Sequence, residues 1–204
     1  RTLRSINPSP YLFFFDYGDF KIFGSSPEAQ LIVQDGKAEI HPIAGTFRRT
    51  GNDAHDAQAA KELAKDPKEN SEHVMLVDLA RNDLSRNGSE VVVEKNREIQ
   101  FYSHVIHLVS KVSCRMKEAA KTFRVVADTF PAGTLSGAPK HKALQLIDRY
   151  ETTKRNVYGG AIGYMDFHGN FNHAIIIRSF LSKNHQLHYQ AGAGIVADSV
   201  PDRR

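Results

Sequence analysis

The chain has 204 residues, 41% of them hydrophobic and 25% charged, with a formal net charge of +4, which fits a soluble globular protein of one sizeable domain or two small ones. Its single cysteine, Cys114, excludes an internal disulfide framework and a four-cysteine zinc site, so a reducing cytoplasm is the expected location. No apolar run approaches the ~20 residues of a membrane span, and the basic residues are dispersed rather than striped, so neither a membrane nor a nucleic acid is an expected partner.

Residues 11–24, YLFFFDYGDFKIFG, predict two strands around a Tyr-Gly-Asp turn. Residues 28–45 predict a hairpin around Asp35-Gly36, a pair favoured in tight primed turns. Residues 53–66 and 67–86 have helical composition and spacing, with Asp66 as an N-cap and Pro67 at the first helical position. Strands are expected at 89–95 and 101–113, and helices at about 117–129 and 139–153. Residues 157–198 predict a three-stranded meander with turns at His168-Gly169-Asn170 and Lys183-Asn184. Strands, then paired helices, then strands argue for an α+β fold rather than a regular βαβ repeat. Both termini are abrupt, and a piece of a longer chain is expected.

Two glycine-rich loops invite a nucleotide reading. GTLSGAPK (133–140) has three residues between its glycines, with Lys140 three positions past Gly137, so it lacks the phosphate-loop spacing. AGAGIVAD (191–198) fits a loose dinucleotide fingerprint, but Pro201 stands where the required helix would run. Both readings fail.

Other residues carry two readings each. Glu69 lies three residues after Asp66, the spacing of a capping box. Glu72 follows at i+3, so both carboxylates leave one helix face, where two hard oxygen donors also suit Mg²⁺. His107, mid-strand in SHVIHLVS, is a satisfied half-buried residue or a catalyst. Arg178 interrupts AIIIRSF and needs an anion, either a protein carboxylate or a ligand carboxylate. Tyr158 is a core residue or a phenolic hydrogen-bond donor. Arg48 and Arg49 read as solvated charges first, with a place for one of them at a pocket mouth as the alternative.

Taken together, HPIAGTFRR, KENSEHVMLVDLARNDLSR, SHVIHLVS, FPAGTLSGAPKHKALQLI, YGGAIGYMDFHGNFNHAIIIR and AGAGIVADS occur in an order that resembles the chorismate-utilising enzymes, in particular their anthranilate synthase component I branch. The resemblance implies an α+β fold of two packed, mostly antiparallel β-sheets flanked by helices, with residues 1–204 forming part of one chorismate-binding catalytic domain. It implies a carbon–oxygen lyase of tryptophan biosynthesis that makes anthranilate and pyruvate from chorismate and ammonia. The ammonia would come from a glutamine amidotransferase partner. By the same resemblance Glu69 and Glu72 are the metal pair for Mg²⁺, Glu28 is the general acid for loss of the 4-hydroxyl, and His107 is the catalytic histidine. Ala44, Gly45, Thr46, Tyr158 and Arg178 contact the substrate, with Thr46 also counted as catalytic. Gly192 and Gly194 offer backbone donors to a carboxylate, and Pro10 and Tyr11, in NPSPY, mark one edge of a tryptophan inhibitor site.

Ala44 separates two chemistries. In the related aminodeoxychorismate synthases the equivalent turn reads Pro-Ile-Lys-Gly-Thr, whose lysine attacks the ring. An alanine cannot attack, so the nucleophile must be delivered. Neighbouring enzymes of the family make isochorismate or salicylate with water as nucleophile, and an inert docking domain is the alternative of another class. A second metal-binding glutamate pair falls past Arg204 in the family pattern. The 204 residues alone are therefore expected to hold Mg²⁺ weakly and to turn over little chorismate.

Overall fold

A computed structural model describes residues 2–6, 8–117, 122–195 and 199. The elements run α1 (Thr2–Ile6), β1 (Tyr11–Asp16), β2 (Phe20–Ser26), β3 (Ala29–Gln34), β4 (Lys37–Ile40), β5 (Ile43–Arg48), α2 (Asp53–Lys65) and α3 (Pro67–Ser85). They continue with β6 (Gly88–Phe101), β7 (Val105–Met116), α4 (Thr122–Thr129), α5 (Gly133–Ser136), α6 (Lys140–Tyr150), β8 (Ala161–Met165), β9 (Phe171–Ile175), β10 (Ser179–Lys183) and β11 (Gln186–His188).

The strands form two antiparallel sheets, as the α+β expectation requires. The smaller has the order β1-β2-β10-β11. In the larger, β8, β9, β3, β4 and β7 lie side by side, β5 shares one edge of β7 with β4, and β6 takes its other edge. The β3–β4 turn follows from its sequence: Asp35 and Gly36 both have positive φ, 49° and 77°, as a type I′ turn demands.

Hydrophobic periodicity places the helices. Val77, Ala80 and Leu84 of α3 recur at helical spacing and pack on Leu31, Val33, Ala38, Val112 and Cys114 of the large sheet, with Val125 of α4 closing the cluster. Ala60 and Leu63 of α2 cover Ile106 and Leu108. Strand alternation then sends the even residues of β7 towards the helices and its odd residues, His107 and Lys111 among them, to the opposite face. Tyr11 of β1 approaches that second face beside Asn172 and Tyr164.

Two neighbouring crossovers join the sheets. β2 runs into β3 through residues 27–28, and β9 runs into β10 through residues 176–178. They are tied together where the Ser25 N–H donates to the Arg178 carbonyl at 3.2 Å and the Ile175 N–H donates to the Glu28 carbonyl at 3.1 Å. Glu28 and Arg178 therefore meet at the sheet junction.

Three expectations change. The strand expected at 89–95 continues to Phe101, and the turn falls after Phe101, where the Tyr102 N–H bonds the Val105 carbonyl at 2.8 Å. The meander is split between the two sheets as β8–β9 and β10–β11, and residues 189–195 form no strand. The first turn lies within 166–170, as expected, while the second falls one residue later than expected, at Asn184 and His185, both at positive φ, because Lys183 still pairs in β10. Residues 118–121 of the helix expected from 117, and residues 196–198 of the meander, lie outside the described residues.

Gly45 sits in a β-bulge of β5 at φ +73°, where a Cβ would stand 3.1 Å from Leu63 Cδ1 and 3.2 Å from Leu108 Cδ1. Gly45→Ala will cost about 1–3 kcal/mol through positive φ and overpacking. Urea denaturation against the parent chain measures it.

Candidate functional site

The centre is built on β5 and β7. The bulge at Gly45 turns its carbonyl out of the ladder, and this carbonyl lies 3.1 Å from His107 Nδ1. Thr46 Oγ1 is also 3.1 Å from Nδ1. A carbonyl only accepts, so Nδ1 carries the proton and Nε2 presents its lone pair. Burial lowers the His107 pKa; the Gly45 contact opposes this and the Arg178 charge adds to it. The imidazole is thus neutral near pH 7, with a free accepting nitrogen.

Glu28 supplies the complementary acid. The sheet junction buries it to 8% exposure, and burial pushes its pKa up to about 8, against the pull of the Thr134 hydroxyl and the Arg178 charge. Thr134 Oγ1 donates to Glu28 Oε1 at 3.0 Å. Arg178 is exposed, with φ +50°, and among the described residues no carboxylate lies within the 4.0 Å of an ion pair. Its guanidinium stays available for an external anion. The structural ion pair left open for Arg178 is not made among the described residues.

Two further residues join this group. The Tyr102 ring packs edge-on against His107 at 5.3 Å, and burial raises its hydroxyl pKa. Arg49, read as a solvated charge, is structural: its Nε donates to the buried Asp56 at 2.9 Å and its Nη1 to the Tyr102 carbonyl at 2.9 Å. It holds the β6–β7 turn against His107. Tyr102 and Thr134 carried no signal of their own in the sequence, although Thr134 lies in the glycine-rich loop that failed as a phosphate loop.

Tyr158 and Gly192 form a second pair, with the Gly192 backbone N–H at the phenol and a Cβ at Gly192 only 3.0 Å from the Tyr158 oxygen. The following backbone is tied to the β9–β10 crossover, since the Gly159 N–H donates to the Ile176 carbonyl at 3.0 Å. Tyr158 and Arg178 are therefore borne on adjoining segments. Gly194 is exposed outside any strand. Ala44 is half-buried opposite Leu108, and Pro10 is exposed beside a half-buried Tyr11.

Glu69 and Glu72 lie half-buried in the first turns of α3. Asp66 Oδ1 accepts from the Glu69 N–H at 2.9 Å, but the Asp66 N–H is taken by the Leu63 carbonyl. The reciprocal half of the capping box is not made, and the Glu69 carboxylate instead lies 3.6 Å from Lys68. Among the described residues no group of three or more His, Cys, Asp or Glu could hold a metal. Two carboxylates on one face still fit Mg²⁺, which takes few protein ligands and completes its shell with water and substrate oxygens.

The family described as chorismate binding enzyme matches residues 1–204. The chain belongs to this family. It is similar to anthranilate synthase component 1 of Acetivibrio thermocellus, with 49% identity over 100% of this chain and 42% of that protein. The Pseudomonas aeruginosa protein of the same name is 48% identical over 98% of this chain and 41% of its own length. The crystal structure of anthranilate synthase component I from Streptococcus pneumoniae superposes with a TM-score of 0.90 at 43% identity, covering 98% of this chain and 44% of that one. The chain thus spans about two fifths of the curated relatives it matches. No helix among the described residues is long and apolar enough to cross a membrane.

Proposed function

We propose that these residues form the chorismate site of an anthranilate synthase component I, which converts chorismate and ammonia to anthranilate, pyruvate and water in the cytoplasm, as a step of tryptophan biosynthesis. The observation that carries the reading is the buried Glu28 carboxyl, protonated through neutral pH, beside an arginine with no carboxylate partner among the described residues. A neutral acid next to a free cation suits a substrate that brings carboxylates and must lose a hydroxyl.

Arg178 binds one substrate carboxylate, and the backbone N–H groups around Gly192 and Gly194 receive the other. Glu69 and Glu72 would hold Mg²⁺, which supplies charge screening and Lewis-acid chemistry at a carboxylate. Glu28 gives its proton to the 4-hydroxyl, which leaves as water while ammonia forms a bond to C2; the new C2 ammonium group loses one proton to solvent, and Glu28 is reprotonated for the next turnover. Ala44 leaves no enzyme nucleophile on β5, so ammonia is delivered from a glutamine amidotransferase partner. His107 Nε2 then takes the C2 proton as the bond from the ring to the enolpyruvyl oxygen breaks, leaving an aromatic ring; the departing oxygen keeps the electron pair, and the enolate takes a proton at its methylene carbon to become pyruvate. Thr46 and Gly45 hold the imidazole in the tautomer this step needs.

The complete enzyme that carries these residues, used for every turnover and chorismate-binding measurement below, is supplied with chorismate, Mg²⁺ and ammonium, and anthranilate is followed by its fluorescence. Anthranilate is the expected product. Accumulation of 4-amino-4-deoxychorismate or isochorismate in its place overturns the reading.

A further inference from the structure

The glycine-rich loop between α4 and α6 has no role in the chemistry above, yet it closes one side of Glu28. Its short helix α5 carries Thr134, whose hydroxyl donates to Glu28 Oε1 at 3.0 Å. Behind the contact lies a cavity of about 30 Å³, lined by Glu28, Gln30, Asp83, Thr129 and Thr134 among others. The loop has no strand partner to fix it. What fixes it is an ion pair at its far end: Lys140 Nζ lies 2.6 Å from Asp83 Oδ2 and donates to the Thr129 carbonyl at 2.9 Å. Asp83 is buried, at 4% exposure, and the Lys140 side chain is 16% exposed. A single ammonium thus ties the start of α6 to α3 and to the end of α4. Arg155 adds a second tie, its Nη1 donating to the Leu135 carbonyl at 2.5 Å.

We propose that Thr134 is a positioning residue for the Glu28 carboxyl, and that the buried Asp83–Lys140 pair is the clamp that holds its loop in place. The hydroxyl occupies Oε1 as an acceptor, so the acid proton is carried on Oε2. One oxygen is anchored and the other is left to deliver. An unanchored carboxyl would share its proton between two oxygens and two orientations, and small misplacements of a proton donor lower the rate steeply. A buried pair is a suitable clamp because either partner alone would be a stranded charge, which disfavours any opening of the loop.

The role of Glu28 as acid rests on the proposed function, so the test reads the contact separately from turnover. Glu28 is titrated by carboxyl ¹³C NMR in the parent chain and in the Thr134→Val, Thr134→Ser and Asp83→Asn/Lys140→Met variants, the last chosen because it strands no charge. The titratable and charged groups facing Glu28 are the Arg178 guanidinium and the neutral Tyr102 phenol on one side and, across the cavity, Asp83 with its partner Lys140. Thr134→Val removes a donor to the carboxylate, so the Glu28 midpoint should move up, while Thr134→Ser should restore it. In turnover, Thr134→Val should lower kcat about tenfold with KM held, and Thr134→Ser should recover most of the loss. The double variant should move both readouts in the direction of Thr134→Val. An unchanged Glu28 midpoint in a folded Thr134→Val chain overturns the proposal, as does a Thr134→Ser variant no better than valine. A shifted midpoint in a protein that makes no anthranilate supports the positioning role and sinks only the acid assignment.

Discussion

Glu28→Gln will lower kcat by about 10³ and leave chorismate binding nearly unchanged, because the amide keeps the shape of the acid and loses its proton. The parent enzyme should show the matching pH dependence. An acid works only while protonated, and Glu28 titrates at about 8, so kcat/KM should be level through neutral pH and fall tenfold per unit above that point. Stability should follow the same group. Burial raises the Glu28 pKa from 4.5 in the open chain to about 8, so the folded state holds a proton that the unfolded state has released between those values. The stabilisation is complete below pH 4.5 and is lost as pH rises through 8, at about 1.4 kcal/mol for each unit of pH in that window. Glu28→Gln should remove this slope and be the more thermostable protein at pH 8. A kcat/KM profile that stays level to pH 9.5 would falsify the assignment of Glu28 as the acid.

Arg178→Ala should weaken chorismate binding about 100-fold, the scale of a lost charge-assisted carboxylate contact. The fold should be indifferent, since Arg178 is exposed and pairs with no carboxylate among the described residues, and alanine meets the same positive φ that arginine already tolerates. Arg178→Lys should recover only part of the affinity, because an ammonium cannot hold a carboxylate through two parallel bonds. Calorimetry with chorismate and Mg²⁺ measures all three proteins. A large drop in melting temperature for Arg178→Ala with unchanged chorismate affinity would return Arg178 to a structural role.

The sequence was legible wherever local chemistry decided the outcome. Asp35-Gly36 specified its turn, Asp66 and Pro67 specified the start of α3, and the apolar spacing of α3 specified the face it buries. What stayed hidden depends on distant partners. The capping-box reading of Glu69 fails because the Asp66 N–H is already used by the helix before it. Arg49 reads as a surface charge until α2 brings Asp56 beneath it. The meander breaks in two because residues 176–178 carry the chain from one sheet to the other, and nothing in an alternating strand pattern says which sheet it will join. The site residues are legible through family resemblance rather than from spacing, and Thr134, within FPAGTLSGAPKHKALQLI, shows its role only when the loop folds against Glu28.

The paired crossovers also impose an order of events on the chain as it is made. Glu28 emerges early and Arg178 late, and their junction cannot close until nearly the whole chain between them has been synthesised. Until β9 and β10 arrive, β2 has only β1 beside it and β3 has only β4, so each presents a bare edge rich in apolar residues. Pairing across such a sequence separation is slow. The chemistry therefore switches on late, once β9 and β10 have joined the elements made before them, and the same delay is the interval in which a nascent chain is most exposed to aggregation.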